Sequence, residues 1–245
     1  MTARAYAIGD IHGHLDKLAR AHRLIATDRA ATGDQDAPVI HLGDLVDRGP
    51  ESAEVVEYLA KGPARGGPWI TLLGNHDRMF LRFVAEAKAR DSAMKADYDW
   101  LHPNIGGLAT LDSYGVAPAP DLDGLHRQAR SRVPAAHLAF VAGLPLSFTR
   151  DELFFAHAGI RPGVPLHRQA EDDLLWIRNP FLTDPRDHGA LVIHGHTAVP
   201  APEHHGNRVN LDSGAGFGRD LSVAVIEGRA VALLSDLGRQ PLLPP

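Results

Sequence analysis

Val39-Ile40-His41-Leu42-Gly43-Asp44-Leu45-Val46-Asp47-Arg48-Gly49 is the stretch on which the fold turns. An apolar run short enough for a buried strand stops at a glycine, and a carboxylate follows at once. The same figure occurs upstream as Tyr6-Ala7-Ile8-Gly9-Asp10 and downstream as Trp69-Ile70-Thr71-Leu72-Leu73-Gly74-Asn75. Between the first two lies a helical pattern with Leu15, Leu18, Ala19 and Leu24 on one face, followed by a polar loop over Thr27 to Ala37. Glu51 to Ala60 reads as a second helix, and a third starts near Met79. A βαβαβ rhythm of this kind implies parallel strands joined by right-handed crossovers.

Further along, Arg82 to Ala142 reads as mostly helical, with breaks at Pro103, Gly106-Gly107, Gly115 and Pro118 to Pro120. The last third is β-rich: Leu153 to Ala156, Leu191 to Ile193, Arg208 to Leu211, Leu221 to Ile226 and Ala230 to Leu234, with Gly228-Arg229 as a hairpin turn. The tail Pro241 to Pro245 reads as frayed. The pattern predicts an α/β chain forming one domain over residues 1–245: two sheets packed together, helices outside, and a mostly helical insertion at about 82–142.

Composition excludes several kinds of chemistry. The 245 residues contain no cysteine, which removes disulfides, thiolate metal sites and a cysteine nucleophile. A net charge of −5 lacks the basic footprint of a nucleic-acid polymer or membrane-surface binder. No stretch has the length of a membrane span. The start Met1-Thr2-Ala3-Arg4-Ala5-Tyr6 holds no apolar run for a signal peptide, so the cytoplasm is the expected address.

What the composition offers instead is 15 histidines and oxygen donors at strand ends. Ligands bind open α/β sheets at the carboxyl ends of strands, so Asp10, Asp44 and Asn75 should converge on one rim. Gly-Asp and Gly-Asn are also common turns, and each alone says little. Taking average residue usage, Asp-x-His arises by chance about once in two chains of this length. The string Gly43-Asp44-x-Val46-Asp47-Arg48-Gly49 arises on the order of 10⁻⁵ times or less. His157 and His196 each follow an apolar strand and sit beside glycine or alanine-glycine, in the same context as the oxygen donors. A mixed carboxylate, amide and imidazole set suits Mn, Fe or Zn better than Ca or Mg.

Gly9-Asp10-Ile11-His12-Gly13, Gly43 to Gly49, Gly74-Asn75-His76-Asp77, His157-Ala158-Gly159 and Gly195-His196 together resemble the PPP phosphoprotein phosphatases of the calcineurin-like metallophosphoesterase superfamily. Leu174 to Arg178 and Asn210-Leu211-Asp212-Ser213-Gly214 look like its small bacterial and phage serine/threonine phosphatases, with the diadenosine tetraphosphate hydrolases close by. The resemblance spans Ile8 to about Leu234 and implies a β-sandwich of two sheets flanked by helices.

It also implies roles. Asp10 and His12 hold a first divalent ion, Asp44 bridges, and Asn75, His157 and His196 hold a second, with Mn favoured over Fe or Zn. His76 is the general acid, oriented by Asp47. Arg48 and Arg178 grip the phosphate together with Asn75 and His76. The family usually has Glu where this chain has Asp77, a position that is not a ligand. His194 points to the other side of its strand and is left out of the metal set, and Trp176 reads as core.

The implied reaction is hydrolysis of a phosphoester by a hydroxide shared between two metals. Two divalent ions, offset by Asp10, Asp44 and that hydroxide, leave about one positive charge, and the two arginines raise it to about three. A phosphate dianion therefore meets a positive pocket in an acidic chain. The expected partner is a phosphorylated protein or small phosphoester. Hydrolysis of dinucleoside tetraphosphates is the alternative, because the same site can attack an anhydride. A catalytically dead binding module predicts missing ligands or a missing acid, and none is missing.

Overall fold

The structure is a computed structural model that describes residues 4–62 and 68–245; Met1 to Ala3, the start of the segment read for a leader, lie outside the described residues. The alternating half runs β1 (Arg4–Ile8), α1 (Leu15–Thr32), β2 (Val39–His41), α2 (Ser52–Ala60), β3 (Trp69–Thr71) and α3 (Asn75–Ala85). Three helices follow: α4 (Gly107–Ser113), α5 (Leu122–Arg132) and α6 (Ala135–Ala142). The rest is β4 (Ser147–Arg150), β5 (Leu153–Ala156), α7 (Glu171–Trp176), β6 (Leu191–His194), β7 (Glu203–His204), β8 (Arg208–Asn210), β9 (Val223–Glu227), β10 (Ala230–Ser235) and β11 (Gly238–Pro241).

Two sheets form, as the sequence predicts. One has the order β11-β10-β9-β1-β2-β3, with β1, β2 and β3 parallel and β9 antiparallel to β1. The other has the order β4-β5-β6-β8-β7, with β5, β6 and β8 parallel. Strand periodicity decides what packs where. Ala5, Ala7, Ile40 and Leu42 face Phe155, Ile193, Val209 and Leu211 across the middle of the sandwich. Tyr6, Ile8, Val39 and Val225 point the opposite way, onto the helices. Phe154 and Val192 cover the far face of the second sheet with Leu174, Ile177 and Phe181. β5 is buried on both faces, and this is why Leu153-Phe154-Phe155-Ala156 does not alternate. Among the described residues no helix is long and apolar enough to cross a membrane.

Three boundaries differ from the sequence reading. The loop expected over Thr27 to Ala37 is helix as far as Thr32, ending at Gly33 in the left-handed region (φ +73°). Long-range polar partners bury its last turn: Asp28 accepts from Tyr6 Oη at 2.8 Å and from Arg239 Nε and Nη2 at 2.6 and 2.8 Å. No hydrophobic period marks such a turn. The third helix starts at Asn75 rather than near Met79, because Asp77 in its first turn accepts the Gly74 amide at 2.8 Å and caps it. In the tail, β11 takes in Pro241 and the Leu242 amide donates to Val231 O at 2.9 Å, so fraying can begin only beyond them. Edge strands β4, β7 and β11 are short or polar and carry no alternation to read. Between α3 and α4, within the segment read as mostly helical, residues 86–106 run through turns.

Candidate metal and phosphate site

Six parallel strands, three from each sheet, end on one rim. Asp10, Asp44 and Asn75 follow β1, β2 and β3; His157, His196 and Asp212 follow β5, β6 and β8. The backbone beyond the first sheet is tightly folded. The amides of Ile11 and His12 both donate to Asp44 O, at 3.1 and 2.8 Å, and Gly13 N donates to Leu45 O at 2.9 Å. His12, Asp44, Asp47, Arg48 and His196 all have positive φ, between +47° and +74°, and only Asp151 joins them among described non-glycine residues. Left-handed backbone at residues with a Cβ costs of order 1–3 kcal/mol each and collects where function demands it. Glycine makes room for the approach: a Cβ on Gly74 would meet Asp44 N at 2.1 Å, and one on Gly195 would meet Asp10 Oδ1 at 1.9 Å.

The side chains form two clusters that share Asp44. One is His12, Asp44 and His76; the other is Asp44, His157 and His196. His157 Nδ1 lies 2.8 Å from Leu42 O, so it carries the proton and Nε2 presents a lone pair. That lone pair faces Asn75 Oδ1 at 2.8 Å and Asp44 Oδ1 at 3.3 Å. His196 Nδ1 also lies 2.9 Å from Asn75 Oδ1. His12 repeats the arrangement: Nδ1 donates to Val46 O at 2.8 Å, and Nε2 faces Asp44 Oδ2 at 3.5 Å. Lone pairs gathered this closely around carboxylate and amide oxygens suit a cation between them. Ligand atoms bound at about 2.1 Å and at right angles around one ion stand about 3 Å apart, which is the spacing seen. Asp10 completes the rim. Its Oδ2 accepts the His196 amide at 2.9 Å, while its Oδ1 and His196 Nε2 are buried without a partner.

Electrostatics agree with a cation site. Burial, with the charges of Asp212 and Asp44 beside it, pushes the Asp10 carboxyl well above its usual range. Burial holds His12 and His196 well below theirs, helped by Arg48 for the first and His157 for the second. Acids that resist ionisation next to imidazoles kept neutral, with lone pairs turned inward, describe a donor set suited to divalent metal.

Beside the clusters, His76 Nδ1 meets Asp47 Oδ2 at 2.6 Å and His76 Nε2 meets Arg48 Nη2 at 3.2 Å. The Asp47 carboxylate by itself would favour the protonated imidazole. Burial opposes this and takes His76 down to about 3, although Asp44 pulls it up. Burial also raises Asp47 to about 7, against the hydrogen bonds from Thr110 and Trp100. A cleft of ≈ 240 Å³ opens over these residues, and its wall includes Asp44, Arg48, Asn75, His76 and Arg178. Arg48 also contacts His12 Nε2, and its guanidinium lies 4.6 Å from the ring of Phe217.

The residues given metal or phosphate roles in the sequence are therefore on this rim or in this cleft, and Asp47 is buried behind His76. His194 is outside both clusters, its ring against Phe181. Trp176, read as core, packs against the main core and also lines the cleft, with its ring 5.9 Å from that of His196. Asp212, Phe217, Trp100 and Thr110 were given no role. Asp212 obeys the strand-end rule and could have been found by it; the other three carry no local signal.

The sequence profile of the calcineurin-like phosphoesterases matches residues 3–226. The chain belongs to this family. Calcineurin-like phosphoesterases are metal-dependent hydrolases, and the paired clusters are where this member would hold its ions. The asymmetrical bis(5'-nucleosyl)-tetraphosphatase PrpE of Bacillus subtilis (strain 168) is 28% identical over 238 residues, covering 88% of this chain and 87% of its own. A symmetrical bis(5'-nucleosyl)-tetraphosphatase of Dechloromonas aromatica is 41% identical over 162 residues, 64% of this chain and 44% of its own. The crystal structure of a cold-active protein-tyrosine phosphatase from a Shewanella species has the same fold, with a TM-score of 0.64 at 14% identity, covering 99% of this chain and 81% of that one.

Proposed function

We propose that this calcineurin-like phosphoesterase is a dinuclear-metal phosphomonoesterase acting on phosphoserine or phosphothreonine of proteins. The observation that carries the reading is the pair of lone-pair clusters joined at Asp44, with a two-arginine cleft above them. Asp10, His12 and Asp44 hold one ion; Asp44, Asn75, His157 and His196 hold the other, with Mn favoured by the mixed donors and Fe or Zn as alternatives. When bound, the pair supplies Lewis acidity and lowers the pKa of a water to about 7. Arg48 and Arg178 offer planar forks to the non-bridging phosphate oxygens. Arg48 reaches the cleft from a half-buried position and Arg178 from an exposed one, so the pairing with phosphate is weakened less by solvent at Arg48. His76 gives the leaving oxygen its proton from Nε2 while Asp47 fixes the ring through Nδ1. An arriving dianion raises the proton affinity of His76 and offsets the effect of its burial.

A monoester fits the cleft because two arginines are the cations in its wall, enough for one phosphoryl group. A second reading, hydrolysis of dinucleoside tetraphosphates, is favoured by the name of the Bacillus subtilis relative, which aligns over most of its length. The test is turnover of a phosphoserine peptide and of diadenosine tetraphosphate, side by side in the same Mn²⁺ buffer. Faster peptide turnover, abolished by a chelator, is expected. Faster cleavage of the dinucleotide would replace the first reading with the second, and full activity after metal removal would sink both.

A further inference from the structure

Asp47 is fully buried, and two of the side chains that bind it come from the segment between α3 and the end of α4. Trp100 Nε1 donates to Asp47 Oδ2 at 2.9 Å and to Oδ1 at 3.1 Å. Thr110 Oγ1 donates to Oδ1 at 2.7 Å and accepts the Asp47 amide at 2.8 Å. His76 takes the remaining direction at Oδ2, at 2.6 Å. Ser52 Oγ also accepts the Asp47 amide, at 3.1 Å. Asp47 itself has φ +74°, so its backbone is held by these hydroxyls in a conformation it would otherwise leave.

We propose that Trp100 and Thr110 are positioning residues for the reaction. They fix the Asp47 carboxylate, and through it aim His76 at the leaving oxygen. The segment that carries them would then be part of the catalytic apparatus and not an appendage to the sheets. The chemistry is specific. A buried carboxylate with three side-chain donors has its lone pairs directed, and one of those directions sets the plane of the imidazole. Both residues are themselves buried, Thr110 completely and Trp100 to within 3%, and Trp100 packs on Phe83 with ring centroids 4.7 Å apart. They are thus fixed before substrate arrives, which is what preorganisation requires. Neither touches a metal-ligating atom, so their loss should leave metal content alone.

This rests on the reading of His76 as the acid, and the experiment separates the two. The variants are Thr110→Val, Thr110→Ser, Trp100→Phe and His76→Asn, each assayed in the full chain with Mn²⁺. The substrates are an aryl phosphate with a good leaving group (nitrophenyl) and one with a poor one (phenyl). Thr110→Val should lower kcat roughly 10-fold with KM changed little, the low end for losing a hydrogen bond to a charged group. The deficit should be larger for the poor leaving group, which depends more on protonation. Thr110→Ser, which keeps the donor, should restore the rate. Trp100→Phe should behave like Thr110→Val. In the His76→Asn background Thr110→Val should cost nothing further, because the two act in one chain. Equal deficits for both leaving groups, loss of bound Mn²⁺, or additivity with His76→Asn would overturn the positioning role. If His76→Asn itself leaves the leaving-group dependence unchanged, the acid reading is what has failed.

Discussion

Asp44→Asn offers the sharpest test of the shared-ligand geometry, because its effect should change sign with metal. Asp44 lies in both clusters and is 2% exposed. In the metal-free protein its charge is a burden. It is among the causes that push up the carboxyls of Asp10 and Asp212, and it helps raise Asp77 to about 8. The substitution removes that repulsion and keeps an oxygen to accept the His76 amide, bonded at 3.0 Å. Metal-free Asp44→Asn should therefore be more stable than wild type, on the order of 1–3 kcal/mol, given that one pKa unit corresponds to about 1.4 kcal/mol. With metal the order reverses. An ion present at about 100 times its Kd stabilises the native state by about 2.7 kcal/mol per site. For a chain of this size that raises Tm by about 5–10 °C. Wild type should show this rise on titration with Mn²⁺ and the variant should not. Thermal unfolding followed by circular dichroism, after exhaustive chelation and again along a Mn²⁺ series, reads both effects at once. Equal Mn²⁺-dependent shifts in the two proteins would refute the bridging role, and a metal-free variant less stable than wild type would refute the electrostatic reasoning.

Other expectations concern single residues. His76→Asn should keep both metals by elemental analysis and cut turnover roughly 10²–10⁴-fold; loss of metal would make His76 a ligand instead. Gly49→Ala places a Cβ 2.1 Å from His12 O, against backbone that cannot yield, and should cost more than about 2 kcal/mol in urea unfolding. An unchanged midpoint would contradict this. Burial raises the Asp28 carboxyl, but the bonds from Arg239 and Tyr6 outweigh it and hold it below its usual value. A depressed folded pKa stabilises above the unfolded value of about 3.9 and the contribution disappears as pH falls through the folded one. Asp28→Asn should thus cost more stability at pH 7 than at pH 3, and equal losses at both would contradict this.

How much of this was legible in the sequence follows from the range of each interaction. Asp10, Asp44, Asn75, His157 and His196 could be found because each is announced locally by an apolar strand that stops at or near glycine. Arg48 and His76 came with the same motifs. Trp100 and Thr110 could not, since what gives them a role is an approach to Asp47 across 53 and 63 residues of chain. Phe217 is similar: its ring matters through Arg48, far away in sequence. The fold shows the same limit. The central strands were readable from burial on both faces, whereas β4, β7 and β11 exist because a neighbour offers them hydrogen bonds. The last turn of α1 is held by Arg239, 211 residues on from Asp28.

The glycines before Asp10, Asp44, Asn75 and His196 are explained by where the ligands come from. Asp10, Asp44 and Asn75 belong to one sheet, and His157, His196 and Asp212 to the other. The distance between the two halves of the site is therefore set by how closely the sheets approach at their rims. There the backbones nearly touch. A Cβ on Gly9 would meet Leu211 O at 2.3 Å, and one on Gly195 would meet Asp10 Oδ1 at 1.9 Å. Hydrogen bonds cross the gap at the same level, from His157 Nδ1 to Leu42 O and from His196 N to Asp10 Oδ2. Below them Leu42, Ile193 and Leu211 fill the space between the sheets. A side chain at Gly9 or Gly195 would force the sheets apart, and a displacement of about 1 Å is enough to spoil a site that needs placement within about 0.5 Å. Glycine followed by a polar donor thus answers two steric demands: Gly9 and Gly195 let the two sheets close, Gly43 and Gly74 let neighbouring strand ends of one sheet close, and the donor after each is what they close around.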